Sequence, residues 1–239
     1  MANLFAGTLK IKTVFILDDS GAYGVGLADA FGAQAEKNGI QILGRDRLDP
    51  QANDYIGVLT KIKALNPQAV FFGGVALAGV KLAKQAYDVI PDVIKAGGDG
   101  MRGGQMLTGV GFPAAEGWYA SSAAPHVTDE PSVAPFIKAY TTRFAQSPSD
   151  YAITAYDGTL VILNAIRQVA QAGKSVTRDT VRDAIQAATL HTLQGDLAFD
   201  ANGDLQSKVV SLYQIKKDPS APLDDLQRQF RYIGVAPSV

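Results

Sequence analysis

The sequence contains no cysteine, and histidine occurs only twice in its 239 residues. Disulfide bonds, thiolate nucleophiles and cysteine-bound metals are therefore excluded. His126 and His191 lie in unrelated segments, and without a His-x-x-x-His spacing they predict no zinc site. The 22 basic and 23 acidic residues are spread along the chain and nearly cancel, which argues against binding to nucleic acid or to an anionic membrane surface.

Long hydrophobic runs and targeting signals are also missing. The longest apolar run, residues 69–80, has 12 residues and is too short to span a bilayer. Residues 1–12 lack the basic start, apolar core and cleavage site of a signal peptide, so we expect no export signal in this chain. An apolar content of 47% with 19% charged residues is ordinary for a globular protein.

Strand and helix patterns alternate over the first hundred residues. Strands are predicted at 14–17, 40–48, 69–74 and 93–98, with helices at 23–37, 52–67 and 76–89 between and after them. This rhythm predicts an α/β fold, a parallel sheet with helices on both faces. Ligands of such sheets bind outside the carboxyl ends of the strands, which points to residues 18–23, 73–76 and 97–101.

Beyond residue 105 the sequence predicts one further strand within 116–125, then helices and a β-hairpin. A helix at 131–148 is followed by a long helix that begins at Ser149 or Asp150 and ends at Gly173, and Thr177 caps the next. The long helix has a predicted face of Ile153, Tyr156, Leu160, Leu163 and Ile166. Other apolar residues fill its remaining sides, so it needs cover on more than one side. Residues 195–215 predict two strands joined by an Asn202–Gly203 turn.

Motifs for catalysis and cofactor binding are not matched. The loop GAYGVG at 21–26 follows a strand but fails the G-x-G-x-x-G spacing, and Asp29 stands at the helix start. The acid pair Asp18–Asp19 resembles a phospho-receiver cluster, but the third strand ends in glycine and valine without the required acid. The segment 200–205 fails the calcium-loop pattern, and no G-x-S-x-G elbow occurs. We therefore predict no cofactor, no metal and no enzymatic activity.

Small, polar and aromatic residues remain at the strand ends. Tyr23 offers a ring with a hydroxyl, Gly73 and Gly74 permit close backbone approach, and Asp99 carries a carboxylate between glycines. These groups suit a small molecule with a cationic group, which could pair with the carboxylate, and with a remaining part that could pack against the tyrosine ring. On spacing alone, a simple turn residue at Asp99 and a sheet-covering tyrosine at position 23 are the more frequent explanation of this pattern.

Several segments, taken in order, resemble one known family. Four of these segments are VFILDDSGAYGVGLADAF, DYIGVLTKIKALNPQAVFFGG, GVKLAKQAYD and AGGDG. They resemble the second lobe of the branched-chain amino-acid-binding proteins that serve ABC importers, which have the type I periplasmic binding fold. SDYAITAYDGTLVILNAI and LQGDLAFDANGDL resemble the closing helix and final hairpin of that family. The resemblance runs from about residue 4 to residue 215. It implies an extracytoplasmic solute-binding protein that binds a small ligand and works with an ABC permease.

The resemblance also implies roles for three of the five residues in the predicted ligand-binding set. Tyr23 corresponds to the tyrosine that contacts the ligand from the second lobe, and Asp99 falls where a leucine binder has a glutamate that holds the ammonium group. Val75 stands where amino-acid binders often have an aromatic residue, so leucine, isoleucine and valine are not assured as ligands. Gly74 and Gly100 complete the predicted ligand-binding set. The ligand class implied is an amino acid or a related organic acid or amide.

By the same resemblance, the first lobe of the family is missing from this sequence. The implied organisation is a ligand-binding lobe at 1–148, helices at 149–190 that in the family pack against the first lobe, and a returning hairpin with a C-terminal tail at 191–239. A truncated form of this kind is expected to bind ligand weakly, or to associate through the helix at 151–166 as a homodimer. The parent protein would be periplasmic or otherwise extracytoplasmic.

Two alternatives from other classes stay open at this point. One is an interaction module that binds no small molecule, for which changes at Tyr23 and Asp99 would alter no ligand binding. The other is a flavodoxin-like enzyme whose cofactor motif is not recognised in the sequence; a colourless protein without phosphate-ligand binding would exclude it.

Overall fold

The computed structural model describes residues 1–237. It forms two compact units, of which the first comprises Met1–Ser122 together with the chain from Val210 onward, and the second comprises Ala123–Val209. The segment boundaries predicted from the sequence, 148/149 and 190/191, do not coincide with this division. The chain leaves the main sheet after residue 122 and returns to it at residue 211. The strand that ends at Ser122 and the strand that begins at Ser211 pair with each other, so the second unit is an insertion between two neighbouring strands of the sheet.

The elements alternate through the first unit as predicted. In chain order this part contains α1 (Ala2–Gly7), β1 (Thr13–Asp18), α2 (Ala22–Lys37), β2 (Gln41–Arg47), α3 (Ile56–Leu65), β3 (Ala69–Gly73), α4 (Ala76–Val89), β4 (Ile94–Gly97), α5 (Gly104–Val110) and β5 (Tyr119–Ser122). The second unit contains α6 (Ala134–Phe144), α7 (Asp150–Gln171), α8 (Arg178–Ala187), β6 (Leu190–Thr192) and β7 (Gly195–Leu197). The returning chain adds β8 (Ser211–Ile215), α9 (Leu226–Gln229) and β9 (Phe230–Val235) to the first unit.

The main sheet has the strand order β2-β1-β3-β4-β5-β8-β9. Neighbouring strands from β2 to β5 are parallel, whereas β8 and β9 join the far edge antiparallel. Because parallel neighbours point the same way, the ends of β1, β3 and β4 lie side by side at one edge of the sheet. The predicted α/β class with a largely parallel sheet is confirmed.

Two apolar cores cover the two faces of this sheet. Alternate side chains of a strand point to opposite faces, and the central strands β1 and β3 follow this rule. One core contains Phe15, Leu17, Val70 and Phe72 with residues of α3 and α4, and the other contains Val14, Ile16, Ala69 and Phe71 with residues of α1 and α2. Helices therefore lie on both faces, as the continuous apolar strands predicted.

The C-terminal part differs from its prediction in two respects. Residues beyond 215 were expected to form a tail, but β9 pairs with β8 as an edge strand of the main sheet. The predicted turn at Asn202–Gly203 forms, but a single antiparallel bridge between Phe199 and Leu205 flanks it in place of two longer paired strands. The Asp200 carboxylate accepts hydrogen bonds from the backbone N–H groups of Asn202 (2.9 Å) and Asp204 (3.0 Å), and so uses donors that a longer strand ladder would need.

The long helix α7 has the predicted ends but a different buried face. Ser149 caps its start by accepting a hydrogen bond from the N–H of Ala152, at 3.3 Å. Its buried positions after the first turn recur every four residues and are Ile153, Asp157, Val161, Ala165 and Val169. On the predicted apolar face, Tyr156 is 44% exposed and Leu163 is 55% exposed. The core side of this helix therefore includes a carboxylate, and part of its apolar surface faces outward.

His126 links the start of the second unit to the start of α7. Its Nδ1 lies 3.3 Å from Oδ1 of the buried Asp150, and its Nε2 lies 3.2 Å from Oδ2 of Asp129. Burial alone would lower the pKa of His126, but the hydrogen bonds and charges of Asp150 and Asp129 outweigh burial and raise this pKa above its ordinary value of 6.5. The charged imidazole therefore stabilises the folded state.

This arrangement predicts a pH-dependent stability. The contribution of His126 is fully present below the unfolded-state pKa and is lost as pH rises through the higher folded-state pKa. We expect the free energy of unfolding to fall as pH rises above about 6.5, as measured by urea unfolding at a series of pH values. His126→Gln should remove this part of the pH dependence. Parallel curves for the wild type and the variant would contradict the prediction.

Candidate functional site

The candidate site lies at the carboxyl ends of β1, β3 and β4. Three short connections leave the sheet there: the turn before α2, the turn before α4, and the segment after β4, in which Asp99–Met101 form a single turn of 3-10 helix. The five residues predicted to bind ligand all belong to these connections or to the helix turns that follow them. This is the edge at which open α/β sheets bind ligands.

Tyr23 and Asp99 lie in direct contact. Tyr23 is in the first turn of α2, and its hydroxyl donates a hydrogen bond to the carboxylate of Asp99. The same hydroxyl accepts a hydrogen bond from the backbone N–H of Gly100, at 3.3 Å. Tyr23 is 43% exposed, so part of its surface is accessible to solvent. The pair presents a negative charge beside an accessible aromatic surface.

Glycines let the neighbouring connections approach this pair. A Cβ atom on Gly100 would overlap the carbonyl oxygen of Gly74 and would lie 3.1 Å from Cγ1 of Val75. A Cβ on Gly98 would lie 2.8 Å from the hydroxyl oxygen of Tyr23. Because Gly100 has no side chain, the connection after β4 can contact the connection after β3. Because Gly98 has no side chain, the hydroxyl of Tyr23 can lie against the backbone.

Val75 forms the other wall of the site. It is the N-cap residue of α4, and its side chain is 42% exposed. The structure thus places the predicted residues next to one another, with Tyr23 against Asp99 and Gly100, and Gly100 against Gly74 and Val75. Apart from the aspartate, these residues offer backbone groups, an isopropyl group and a ring, and the arrangement suits binding better than proton transfer.

Sequence reasoning missed two residues that shape the site. Gly98 was not included, although the run Gly97-Gly98 directly before Asp99 indicated a close approach. Asp19 was considered only as part of an acidic cluster, yet its carboxylate accepts a hydrogen bond from the backbone N–H of Val75, at 3.0 Å. Its neighbour Asp18 is fully buried and pairs with Nη2 of Arg45 at 2.9 Å, which gives that acid a structural role.

Other possible sites are few in the described part of the chain. Among residues 1–237 there is no group of three or more histidine or acidic side chains arranged to hold a metal ion. In the same residues, no helix combines the length and the apolar character needed to cross a membrane. A cavity of about 570 Å³ lies between α6 and α7 in the second unit, and its lining includes Phe136, Tyr140 and Tyr156. None of the five predicted ligand-binding residues lines this cavity.

Comparisons with known proteins identify the family of this chain. The family model for periplasmic binding proteins matches residues 1–220. The Leu/Ile/Val-binding protein BraC3 of Rhizobium johnstonii is 31% identical over 209 residues, which cover 86% of this chain and 54% of that protein. Leu/Ile/Val-binding protein homolog 3 of Brucella melitensis is 28% identical over 215 residues, which cover 90% of this chain and 57% of that protein. The chain thus spans little more than half the length of these relatives.

Solved structures show the same fold. A leucine-binding protein from Thermotoga maritima superposes with a TM-score of 0.83 at 22% identity, over 99% of this chain and 63% of that one. A solute-binding protein from R. palustris, in complex with benzoate, superposes with a TM-score of 0.77 at 14% identity, over 98% of this chain and 61% of that one. With the match of the family model over residues 1–220, the conclusion is that this chain belongs to the periplasmic binding protein family.

Proposed function

We propose that this chain is the ligand-contacting part of the solute-binding component of an ABC transporter of the branched-chain amino acid type. The single observation that carries the proposal is the Tyr23–Asp99 pair at the carboxyl edge of the parallel sheet. The names of the relatives, which describe Leu/Ile/Val-binding proteins, support the same ligand class. The proposed role is binding without chemical conversion, outside the cytoplasm, with delivery to an ABC permease.

Each site residue has a proposed task. Asp99 pairs with the ammonium group of the ligand, and the neutral hydroxyl of Tyr23 orients its carboxylate without cancelling its charge. The exposed side of the Tyr23 ring packs against the body of the ligand. Val75 contacts the opposite side, while Gly74 and Gly100 let ligand atoms approach the backbone.

The proposed ligand is an amino acid or a related organic acid or amide. Asp99 favours a compound with an amino group, and Val75 leaves more space than an aromatic side chain would at that position. Since both Tyr23 and Val75 are more than 40% exposed, a ligand held by this surface alone keeps one side in water. We therefore expect weak binding by the isolated 239-residue chain, because burial of most of the ligand normally accompanies tight binding.

Asp99→Asn tests the proposal. The asparagine keeps the shape but loses the charge, and a hydrogen bond to a charged partner typically contributes enough to change affinity by about tenfold or more. We expect calorimetric titration with L-leucine, L-isoleucine and L-valine to show this loss, and titration with benzoate, which has no amino group, to show none. Asp88→Asn, at an exposed acid on α4 outside the site, is the matched control. Equal affinities in wild type and Asp99→Asn would refute the role of Asp99.

A second candidate function is self-association through the 151–166 part of α7. The observation that favours it is a set of exposed apolar side chains on that helix, which comprises Tyr156, Ile162, Leu163 and Ile166. Exposed apolar surface of this kind commonly marks an interface. In a symmetric homodimer the same apolar patch of the two subunits would pack together, so that both copies are buried.

Leu163→Lys tests this second candidate. We expect the wild-type chain to sediment as a dimer at micromolar concentration and the variant as a monomer, because a charge at the centre of an apolar interface is costly to bury. Lys174→Glu, beyond the helix end, serves as a control for a general effect of charge. A wild-type monomer under these conditions would rule out the homodimer.

A further inference from the structure

Asp19 is a buried acid at the sheet edge to which neither the proposed binding roles nor, as for Asp18, an ion pair with Arg45 assigns a role. It follows β1 directly, and only 8% of the residue is exposed. One carboxylate oxygen accepts a hydrogen bond from the backbone N–H of Gly21 at 3.1 Å, and the other accepts from the N–H of Val75 at 3.0 Å. Its own backbone N–H donates to the carbonyl of Gly73 at 3.0 Å.

The two N–H donors belong to different connections of the site. Gly21 is the N-cap of α2, whose first turn carries Tyr23, and Val75 is the N-cap of α4. These positions are 54 residues apart in the sequence, so no local turn holds them together. A single rigid carboxylate joins them, with one oxygen assigned to each connection.

The surroundings of Asp19 are shaped for this carboxylate. A Cβ atom on Gly24 would overlap Oδ1 of Asp19, and a Cβ on Gly74 would lie 2.9 Å from its Cβ and Cγ atoms. Within residues 1–237 no lysine, arginine or histidine forms an ion pair with Asp19, in contrast to Asp18 with Arg45. Backbone donors at the positive ends of α2 and α4 balance the charge instead.

We propose that Asp19 is a positioning residue of the ligand site, which holds the start of α2 and the start of α4 at the separation that ligand binding requires. The inference rests on the proposed function, because it treats Tyr23 and Val75 as two walls of one site. Asp19 itself does not contact the ligand. It acts on binding through the placement of the Tyr23 ring and the Val75 side chain.

Asp19→Asn tests this role with little change in shape. An amide has one oxygen acceptor, so its NH₂ group must face one of the two backbone N–H donors, and that hydrogen bond is lost. By NMR hydrogen exchange we expect the amide of Gly21 or Val75 to exchange about tenfold faster in the variant. Calorimetry with L-leucine should show an affinity loss of about tenfold as well.

Asp18→Asn is the matched control. It alters the neighbouring buried acid, which pairs with Arg45, but leaves the contact with Val75 in place. We expect it to lower global stability while the Val75 exchange rate, corrected for that change, and the leucine affinity stay within about twofold of wild type.

The outcomes separate this inference from the proposed function. If both amides keep their wild-type exchange in Asp19→Asn, the carboxylate does not join the two connections and the inference fails. If exchange accelerates but leucine affinity stays at the wild-type value, or falls equally in Asp18→Asn, Asp19 has a structural role only, and the inference fails. A wild-type chain that binds no leucine contradicts the proposed function for that ligand, whereas the exchange measurement still decides whether Asp19 joins the connections.

Discussion

Asp157→Ala is expected to lower the free energy of unfolding of the 123–209 unit by about 3 kcal/mol. The Asp157 side chain is fully buried on α7 and accepts three hydrogen bonds from the turn between β6 and β7. They come from the backbone N–H of Leu193 (3.2 Å), the backbone N–H of Gln194 (3.1 Å) and Nε2 of Gln194 (2.9 Å). Alanine leaves the Leu193 N–H without its acceptor, leaves the Gln194 N–H with only Oγ1 of Thr192 at 3.2 Å, and opens a cavity. The lost hydrogen bonds and the cavity are both costly in a buried place.

Urea unfolding followed by circular dichroism measures the loss of unfolding free energy. Faster amide exchange at residues 190–197 would show that the destabilisation lies in the second unit. Asp183→Ala, at an exposed acid on α8 that pairs with Arg182, is the control and should cost less than about 1 kcal/mol. A change below about 1 kcal/mol for Asp157→Ala would mean that water replaces the carboxylate at little cost.

Gly100→Ala is expected to abolish ligand binding and to lower the free energy of unfolding by about 2 kcal/mol. The added methyl group would overlap the carbonyl oxygen of Gly74 and press on Cγ1 of Val75. Backbone cannot yield as a flexible side-chain end can, so the connections after β3 and β4 must separate. That separation also removes the N–H of Gly100 from the Tyr23 hydroxyl, and both walls of the proposed site then move.

Gly103→Ala is the matched control for this effect. Gly103 follows in the same segment, and a Cβ atom there would meet nothing within 4 Å. Its φ of −159° is ordinary extended backbone. Both variants are compared by thermal unfolding and leucine titration. We expect Gly103→Ala to bind leucine as wild type does and to lose less than about 1 kcal/mol of stability, since Gly103 is the N-cap of α5, where alanine is less favourable than glycine. Normal stability and binding in Gly100→Ala would show that the two connections are not held as closely as the site requires.

Much of the first unit could be predicted because its signals are local. Helix α2 starts after the glycine-rich turn and ends before Gly39, whose φ is +71°. The caps at Ser149 and Thr177 each depend on residues within three positions of the cap. The location of Tyr23, Val75 and Asp99 at one edge follows from parallel strand order, and their proposed roles came from the family resemblance.

The differences from prediction arise from side-chain hydrogen bonds to the backbone, which residue patterns do not reveal and some of which join residues distant in sequence. Asn202–Gly203 has the strongest local hairpin signal in the chain, and the turn forms there, but the Asp200 side chain accepts hydrogen bonds from nearby backbone donors and only one bridge flanks the turn. A further hairpin, between β6 and β7, turns at residues 193–194, where Asp157 of α7 supplies the acceptors. A helix pattern with apolar residues on several sides likewise does not reveal that an aspartate faces the core.

The sequence by itself determined the α/β class, the order of strands and helices through β4, and the strand-end residues that make up the candidate site. Periodicity and capping settle these features because they act within one or two turns of backbone. Only the tertiary structure decided that β8 and β9 complete the sheet, that Asp157 holds the turn between β6 and β7, and that Asp19 joins Gly21 to Val75. The contact of Leu193 with Asp157 joins residues 36 positions apart, that of Val75 with Asp19 joins residues 56 positions apart, and the pairing of β8 with β5 joins residues farther apart still. Such contacts form only where burial of the whole core outweighs the entropy of closing those loops.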